Sequence, residues 1–228
     1  MLYLRPFTYF AGKPKTGLTN LLLASACGLI PVVGPVALLG YRAEVADDLD
    51  RDPDLLAHPD FHFARIGPYL ERGIWPFLYQ LLVMGLALVG IAGAVFVGWQ
   101  ASGARRELAD QLLVGTAAGV AVFVPVAVVC LAVLWPLELH AQLSGRFDPV
   151  AAVGFTVRFL AAVWGQVLVT VGLFMLAGTL LMLLGILALG VGLVPVNAIL
   201  GMAQQHLVAQ LYRLYLEDGG VPVPRPLD

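Results

Sequence analysis

The sequence predicts an all-α membrane protein, a polytopic helical bundle with four full spans and a first segment broken by proline. The strongest observation is an uncharged run. Between Arg158 and Arg213 the chain continues for 54 residues in which His206 is the sole ionisable side chain near neutral pH. A single helix of that length would measure about 80 Å, whereas the hydrocarbon core of a bilayer is roughly 30 Å thick. The run must therefore cross a bilayer, turn and cross again.

Composition supports the same fold class. Hydrophobic residues make up 60% of the chain and charged residues 12%, with a mean hydropathy of +0.87. Soluble domains carry about a quarter charged residues, so the excess apolar surface needs a lipid bilayer as its partner. Nucleic-acid binding requires a basic surface, which a net charge of −2 does not indicate, so no nucleic-acid partner is expected. Cys27 and Cys130 lie in apolar segments and are interpreted as packing residues.

The chain divides into one integral membrane domain over residues 1–218 and a flexible Pro/Gly tail over 219–228. Within the last uncharged run, Gly185, Gly190 and Gly192 predict the turn between two helices. Asp148 followed by Pro149 predicts a capped helix start. An acidic loop over 42–72 is expected on the cytoplasmic side. The apolar segments cover about 16–41, 73–100, 111–137, 160–185 and 190–212.

The first apolar segment contains Pro31 and Pro35 at its middle, which leaves two interpretations. It is either one kinked span or a re-entrant pair of half-helices. Five full spans would divide the Lys and Arg residues 8 to 5 between the two sides, whereas a re-entrant first segment divides them 11 to 2. The positive-inside rule favours the second division. Both interpretations place the acidic loop and the C-terminus in the cytoplasm, and the side of the N-terminus stays open.

The stretch from Ile30 to Arg42, which reads IPVVGPVALLGYR, resembles the domain-of-unknown-function 4013 family of bacterial and archaeal membrane proteins. In that family an apolar stretch with proline and glycine is followed by a Gly-Tyr pair, a polar loop and a short element with an LP-W/F-D pattern. Here His58-Pro59-Asp60-Phe61 and Phe63 stand at the position of that element, without its leucine and tryptophan. The resemblance implies a multi-pass membrane protein and no established activity.

The acidic loop carries the sharpest chemical pattern. Asp47, Asp50 and Asp54 fit D-x-x-D-x-x-x-D, which resembles the Mg²⁺-diphosphate motif of membrane prenyltransferases. A second aspartate cluster, which such enzymes need, is missing from the sequence. A solvated acidic loop is the preferred interpretation. The sequence also lacks nucleophile, zinc and nucleotide motifs, so we expect no enzyme, no metal and no cofactor.

Polar side chains in or beside the apolar segments are the remaining candidates for a site. Glu138 and His140 are two residues apart, do not share a helix face, and are expected to form a water-exposed interfacial pair. His206 and Gln210 do share a face. The other amides are expected to form interhelical hydrogen bonds. The full set of candidates is Gln80, Glu138, His140, Gln166, Asn197, His206 and Gln210.

These observations support two hypotheses about function. The first is a non-enzymatic scaffold or accessory subunit of the bacterial cytoplasmic membrane, with other membrane proteins as partners. The alternative is a small-solute permease or channel, because an unwound backbone in the broken first segment would suit a solute path. The sequence leaves the oligomeric state open.

Overall fold

The computed structural model describes residues 3, 6–8, 16–51, 59–101 and 108–225, without the side chains at 98, 101, 108–115, 118 and 120. In this part of the chain the regular structure is helical. A short 3-10 turn, Phe63–Arg65, precedes the third of six α-helices. The helices are α1 (Gly17–Gly28), α2 (Val33–Arg51), α3 (Ile66–Ala101), α4 (Leu108–Ser144), α5 (Pro149–Leu187) and α6 (Leu193–Glu217).

Three of the described helices are long and apolar enough to cross a bilayer: Phe63–Val97, Ala121–Ser144 and Pro149–Leu187. The predicted all-helical bundle is confirmed, together with three helices of a length and composition that suit a membrane span. Helix α6 has 25 residues but is less apolar and does not meet the same criterion. The predicted start of α5 is also confirmed, because the Asp148 carboxylate accepts a hydrogen bond of 3.0 Å from the Ala151 amide, with proline at the first helical position.

The first apolar segment is divided into α1 and α2 by a turn at residues 29–32. Val32 in this turn has a φ of 61°, a value that β-branched residues rarely adopt. Helix α2 then continues to Arg51, so residues 42–51 are helical and the predicted acidic loop begins later than expected. Arg42 and Glu44 on this part of α2 are buried, which corrects the expectation of a fully solvated region.

The end of α4 is the centre of the bundle. Every residue from 134 to 144 is buried, because α2, α3, α5 and α6 all pack around this part of the helix. By contrast, α3 presents exposed leucines to its surroundings, as expected for a lipid-facing surface. The polar side chains near the end of α4 are therefore enclosed by protein.

Residues 219–225, which belong to the predicted flexible tail, contact α6. The chain reverses at Gly219, whose φ is 83°, and runs back along α6. The amide of Val221 donates to the Tyr215 hydroxyl at 3.0 Å, and the amide of Val223 donates to the Tyr212 hydroxyl at 2.9 Å. Val223 is buried in the same apolar cluster as Tyr212. Two tyrosine hydroxyls and one apolar contact hold a segment whose proline content alone predicts an extended, unattached tail.

Candidate functional site

Glu138 of α4 is the centre of a buried polar cluster, formed with Arg42 of α2, Gln80 of α3 and Gln204 of α6. We call these four residues the Glu138 cluster. Gln80 Nε2 donates to Glu138 Oε1 at 2.5 Å, and Gln204 Nε2 donates to Oε2 at 2.9 Å. Arg42 forms an ion pair with the same Oε2 at 3.4 Å. One carboxylate therefore connects four helices.

Glu138 is 2% exposed and Arg42 is 8% exposed, so both charges are removed from solvent. A buried charge is tolerated where a partner of opposite sign and hydrogen bonds replace its hydration. Gly201 of α6 lies against the Arg42 side chain, with a Cβ at that position 3.8 Å from Arg42 Cδ. The arginine is thus enclosed between α4 and the backbone of α6.

The guanidinium of Arg42 is incompletely paired. It donates to Glu138 from Nη2 at 3.4 Å, and its buried Nε has no hydrogen-bond partner among the described residues. Arginine–carboxylate pairs with two parallel hydrogen bonds have N–O distances of about 2.7 to 2.9 Å. Arg42 thus keeps an unused donor inside the bundle.

Gln80 and Gln204 are only half-buried, unlike the two charges that they accompany. They contact different oxygens of the Glu138 carboxylate, Gln80 from α3 and Gln204 from α6. Among the described residues, α3 and α6 do not pack extensively against each other. The Glu138 carboxylate therefore connects two helices that otherwise have few contacts with each other.

Glu138 and His140 are both 2% exposed, so the expectation of a water-exposed interfacial pair is wrong. They do point to different neighbours, as their spacing predicts. The His140 ring packs against Phe155 of α5 with a centroid distance of 5.8 Å. Gln142, one further step along α4, accepts a hydrogen bond of 3.0 Å from Gln205 of α6. The helix end is buried because neighbours surround it on all sides.

The structure brings together two of the residues predicted from sequence, Gln80 and Glu138. Gln166 and Asn197 are exposed on the outside of α5 and α6, and His206 and Gln210 are half-buried on α6. Sequence reasoning did not select Arg42 or Gln204. Arg42 follows the Gly-Tyr pair at the end of an apolar segment, where a membrane-flanking charge is the usual interpretation. Gln204 was missed although it precedes Gln205 and His206 in a polar run on an apolar helix.

The charged end of α2 is paired with three other segments. Glu44 forms an ion pair with Arg65 at 2.5 Å, Asp47 pairs with Arg72, and Asp50 pairs with Arg225 of the C-terminal segment. Burial raises the pKa of Glu44 above its ordinary value of 4.5; the charges of Arg65 and Arg72 oppose this shift, and nearby Asp48 and Asp47 add to it.

Asp47 and Asp50, two members of the aspartate pattern, are therefore neutralised by arginines, and Asp54 lies outside the described residues. Among the described residues no group of three or more histidine, cysteine or acidic side chains is arranged to hold a metal ion. The cation-binding interpretation of this pattern has no support in the described geometry.

The two segments that carry the family resemblance lie next to each other. The Tyr41 hydroxyl donates to the Pro59 carbonyl at 2.9 Å, and the Tyr41 ring packs edge-on against Phe61 with a centroid distance of 5.3 Å. Asp60 accepts a hydrogen bond of 2.8 Å from Asn20 of α1. His58 lies outside the described residues. Residues 59–61 thus join the end of the polar loop to both helices of the first segment.

The sequence matches no protein-family model, no curated protein and no solved structure. The resemblance to the domain-of-unknown-function 4013 family therefore stays a prediction.

Proposed function

We propose that the protein is an integral protein of the bacterial cytoplasmic membrane, with α3 to α6 as four spans and with α1 and α2 as a re-entrant hairpin. The contacts at the open end of the hairpin support this topology. Asn20 near the start of α1 contacts Asp60, which precedes α3, and Asp50 near the end of α2 pairs with Arg225, which follows α6. The start of α3 and the end of α6 share one side in a four-span bundle.

The turn of the hairpin supports the same topology. Leu29 and Val32 are 66% and 64% exposed, as expected if lipid covers them. Membrane-impermeant thiol labelling tests the proposal in a background without Cys27 and Cys130. Cysteines at Gly67 and Gly219 should react from the cytoplasmic side alone and a cysteine at Leu189 from the opposite side alone. Labelling of all three from one side would contradict four spans.

For the activity, we propose a small-solute permease rather than a scaffold. The observation that carries this proposal is the Glu138 cluster, a buried ion pair flanked by two half-buried amides between α3 and α6. Ionisable groups inside a membrane bundle are costly and commonly mark solute or proton paths. The cluster includes Arg42 of the helix that follows the broken turn, and discontinuous helices commonly form transporter binding sites. No enzymatic step and no cofactor enter this proposal.

Flux into proteoliposomes tests the permease. The full chain is reconstituted and the uptake of labelled small solutes (a carboxylate, an amino acid, a polyamine and a sugar) is compared with that of empty liposomes. Gln80→Leu and Gln204→Leu should reduce uptake of the transported solute at least tenfold. Gln166→Leu is the matched control, because its amide faces outward on α5. Equal uptake by protein-containing and empty liposomes for every solute would contradict the proposal.

The scaffold hypothesis remains the second candidate because the turn between α1 and α2 exposes apolar side chains. Leu29, Ile30, Val32 and Val33 form an apolar surface of a kind that another membrane protein can cover. A scaffold predicts that a photocrosslinker at Val32 captures one defined protein in native membranes, and that a crosslinker at Leu184 on α5 does not. Capture of lipid alone at both positions would favour the permease.

A further inference from the structure

The three side chains that contact the Glu138 carboxylate are all hydrogen-bond donors, and each comes from a different helix. Arg42 supplies a positive charge, and Gln80 and Gln204 supply one amide N–H each. Three converging donors, one of them a guanidinium, are the groups that proteins use to bind a carboxylate. Here the carboxylate that they hold belongs to the chain itself.

Arg42 has hydrogen-bond donors that a second carboxylate, or one placed closer than that of Glu138, would satisfy. Its Nη2 is 3.4 Å from Glu138, and its Nε has no partner among the described residues although the residue is only 8% exposed. A small anion that reached Arg42 between Gln80 and Gln204 would provide the missing acceptor. Gln80 and Gln204 are less buried than Arg42 and Glu138, so such a ligand would meet them first.

We propose that Arg42, Gln80 and Gln204 form a binding site for a small organic monocarboxylate, which replaces the Glu138 carboxylate when Glu138 takes up a proton. The inference rests on the proposed permease and names its substrate class. The exchange keeps the charge of the buried site constant, since one anion enters as one negative charge on Glu138 is neutralised. Charge balance matters because an uncompensated buried charge is strongly unfavourable.

The groups around Glu138 determine how its proton uptake is coupled to anion binding at Arg42. On α2 it faces Arg42, on α3 it faces Gln80, and on α6 it faces Gln204. His140 is turned towards Phe155 of α5, and no described titratable side chain of α5 contacts Glu138. The proton therefore comes from water and adds to a Glu138 oxygen, and it leaves again when the anion dissociates. One proton would accompany each anion across the membrane.

Binding of formate to the purified full chain tests the site without requiring transport. Glu138→Gln reproduces the protonated side chain in charge and shape, so it leaves Arg42 free to accept an anion. Formate should raise the melting temperature of Glu138→Gln at concentrations at least tenfold lower than for the unsubstituted protein at neutral pH. The response should be lost in Arg42→Met/Glu138→Gln and retained in Glu138→Gln/Gln166→Leu. Choline chloride at the same concentration, which supplies chloride in place of a carboxylate, should have no such effect.

The unsubstituted protein provides a second measurement if Glu138→Gln does not fold. Formate stays ionised between about pH 8 and pH 5.5. As the pH is lowered through this range, the half-saturating concentration of formate should fall by up to tenfold per pH unit. No formate response in either protein, or a response that does not depend on pH or on Arg42, overturns the inference. Flux of an amino acid or sugar without formate binding would then leave the permease standing. Formate binding without any flux supports the anion site and contradicts the permease.

Discussion

Gly40 of α2 and Gly73 of α3 lie back to back where the two helices cross. A Cβ added to Gly73 would overlap the Val36 carbonyl oxygen and lie 2.7 Å from the Gly40 amide nitrogen. A Cβ added to Gly40 would overlap the Tyr69 carbonyl oxygen. Both helices therefore touch through their backbones, and this contact positions Arg42, two residues after Gly40, in front of Glu138.

Alanine at Gly73 should destabilise the protein, because the extra methyl group forces α2 and α3 apart. Overpacking of this kind costs about 1 to 3 kcal/mol, and overlap with backbone atoms places Gly73→Ala at the upper end. Gly85→Ala on the same helix is the matched control, since no atom lies within 4 Å of a Cβ there. It should gain up to about 1 kcal/mol from helix propensity. Thermal unfolding in detergent measures both, and equal effects would contradict the close crossing.

The general architecture was predictable because charge is excluded from lipid. The 54-residue uncharged run required a turn between two helices, and the structure places that turn between Leu187 and Leu193, beside Gly190. The start of α5 was predictable because a carboxylate followed by proline satisfies the first helical amides locally. These features depend on a few neighbouring residues or on a continuous stretch of composition.

The environment of the site was not predictable in the same way. Glu138, His140 and Gln142 alternate with apolar residues near a helix end, a pattern that suggests exposure at the membrane surface. They are buried because α2, α3, α5 and α6 surround this end of α4, and the position of α2 depends on its close contact with α3 at Gly40 and Gly73, which are 33 positions apart. The burial of Arg42 was also missed, because a cation beside an apolar segment suggests a position at the membrane surface. Such long-range packing leaves no periodic signal in one sequence.

The Arg42–Glu138 pair should show strong energetic coupling. Arg42→Met alone leaves a buried carboxylate without its countercharge, and Glu138→Met alone leaves a buried guanidinium. Loss of one partner from a buried pair costs about 3 to 5 kcal/mol, whereas replacement of both by apolar side chains is often close to neutral. The double variant should therefore be more stable than either single variant in reversible unfolding experiments.

The pair between Arg65 and Glu44 provides the comparison, since the Arg65 side chain is 49% exposed. Its coupling energy should not exceed about 1 kcal/mol. Additive effects of Arg42→Met and Glu138→Met would contradict the central role of the buried pair.

The C-terminal segment supplies a matched pair of tyrosines. Tyr212→Phe removes the acceptor for the Val223 amide, and Val223 is 6% exposed, so water cannot easily replace the hydroxyl. A buried unsatisfied amide costs about 1 to 3 kcal/mol. Tyr215→Phe removes the acceptor for the Val221 amide, but Val221 is 62% exposed and its amide can bind water. Hydrogen exchange at both amides and thermal unfolding should show Tyr212→Phe to be the more destabilising variant. Equal destabilisation would show that the buried Val223 amide does not depend on the Tyr212 hydroxyl.

Val32→Gly should stabilise the protein despite the loss of a side chain. The left-handed conformation at Val32 costs a residue with a Cβ roughly 1 to 2 kcal/mol, and glycine removes that cost. Part of the gain, about 0.5 to 1 kcal/mol, is offset by the greater freedom of glycine in the unfolded chain. Val33→Gly is the control, because Val33 begins α2 without a positive φ and glycine weakens a helix. Destabilisation by Val32→Gly in thermal unfolding would contradict the strained turn.

Glu44 should make the protein less stable as the pH rises through the pKa of its folded-state carboxyl group. Burial raises that pKa above the ordinary value of 4.5. The folded protein therefore holds the Glu44 proton more tightly than the unfolded chain does. This contribution to stability is complete below the unfolded-state pKa and is lost as the pH increases through the raised folded-state value.

Unfolding free energies of the unsubstituted protein and Glu44→Gln, measured between about pH 4 and pH 8, isolate this contribution. The difference between the two proteins should shift in favour of Glu44→Gln as the pH rises above the unfolded-state pKa. Glu71→Gln, an exposed position at the start of α3, controls for the removal of one carboxylate. A shift in the opposite direction would mean that the ion pair with Arg65 outweighs burial, since a lowered pKa stabilises the folded state at high pH. The sign of the slope thus decides which of the two forces dominates at the charged end of α2.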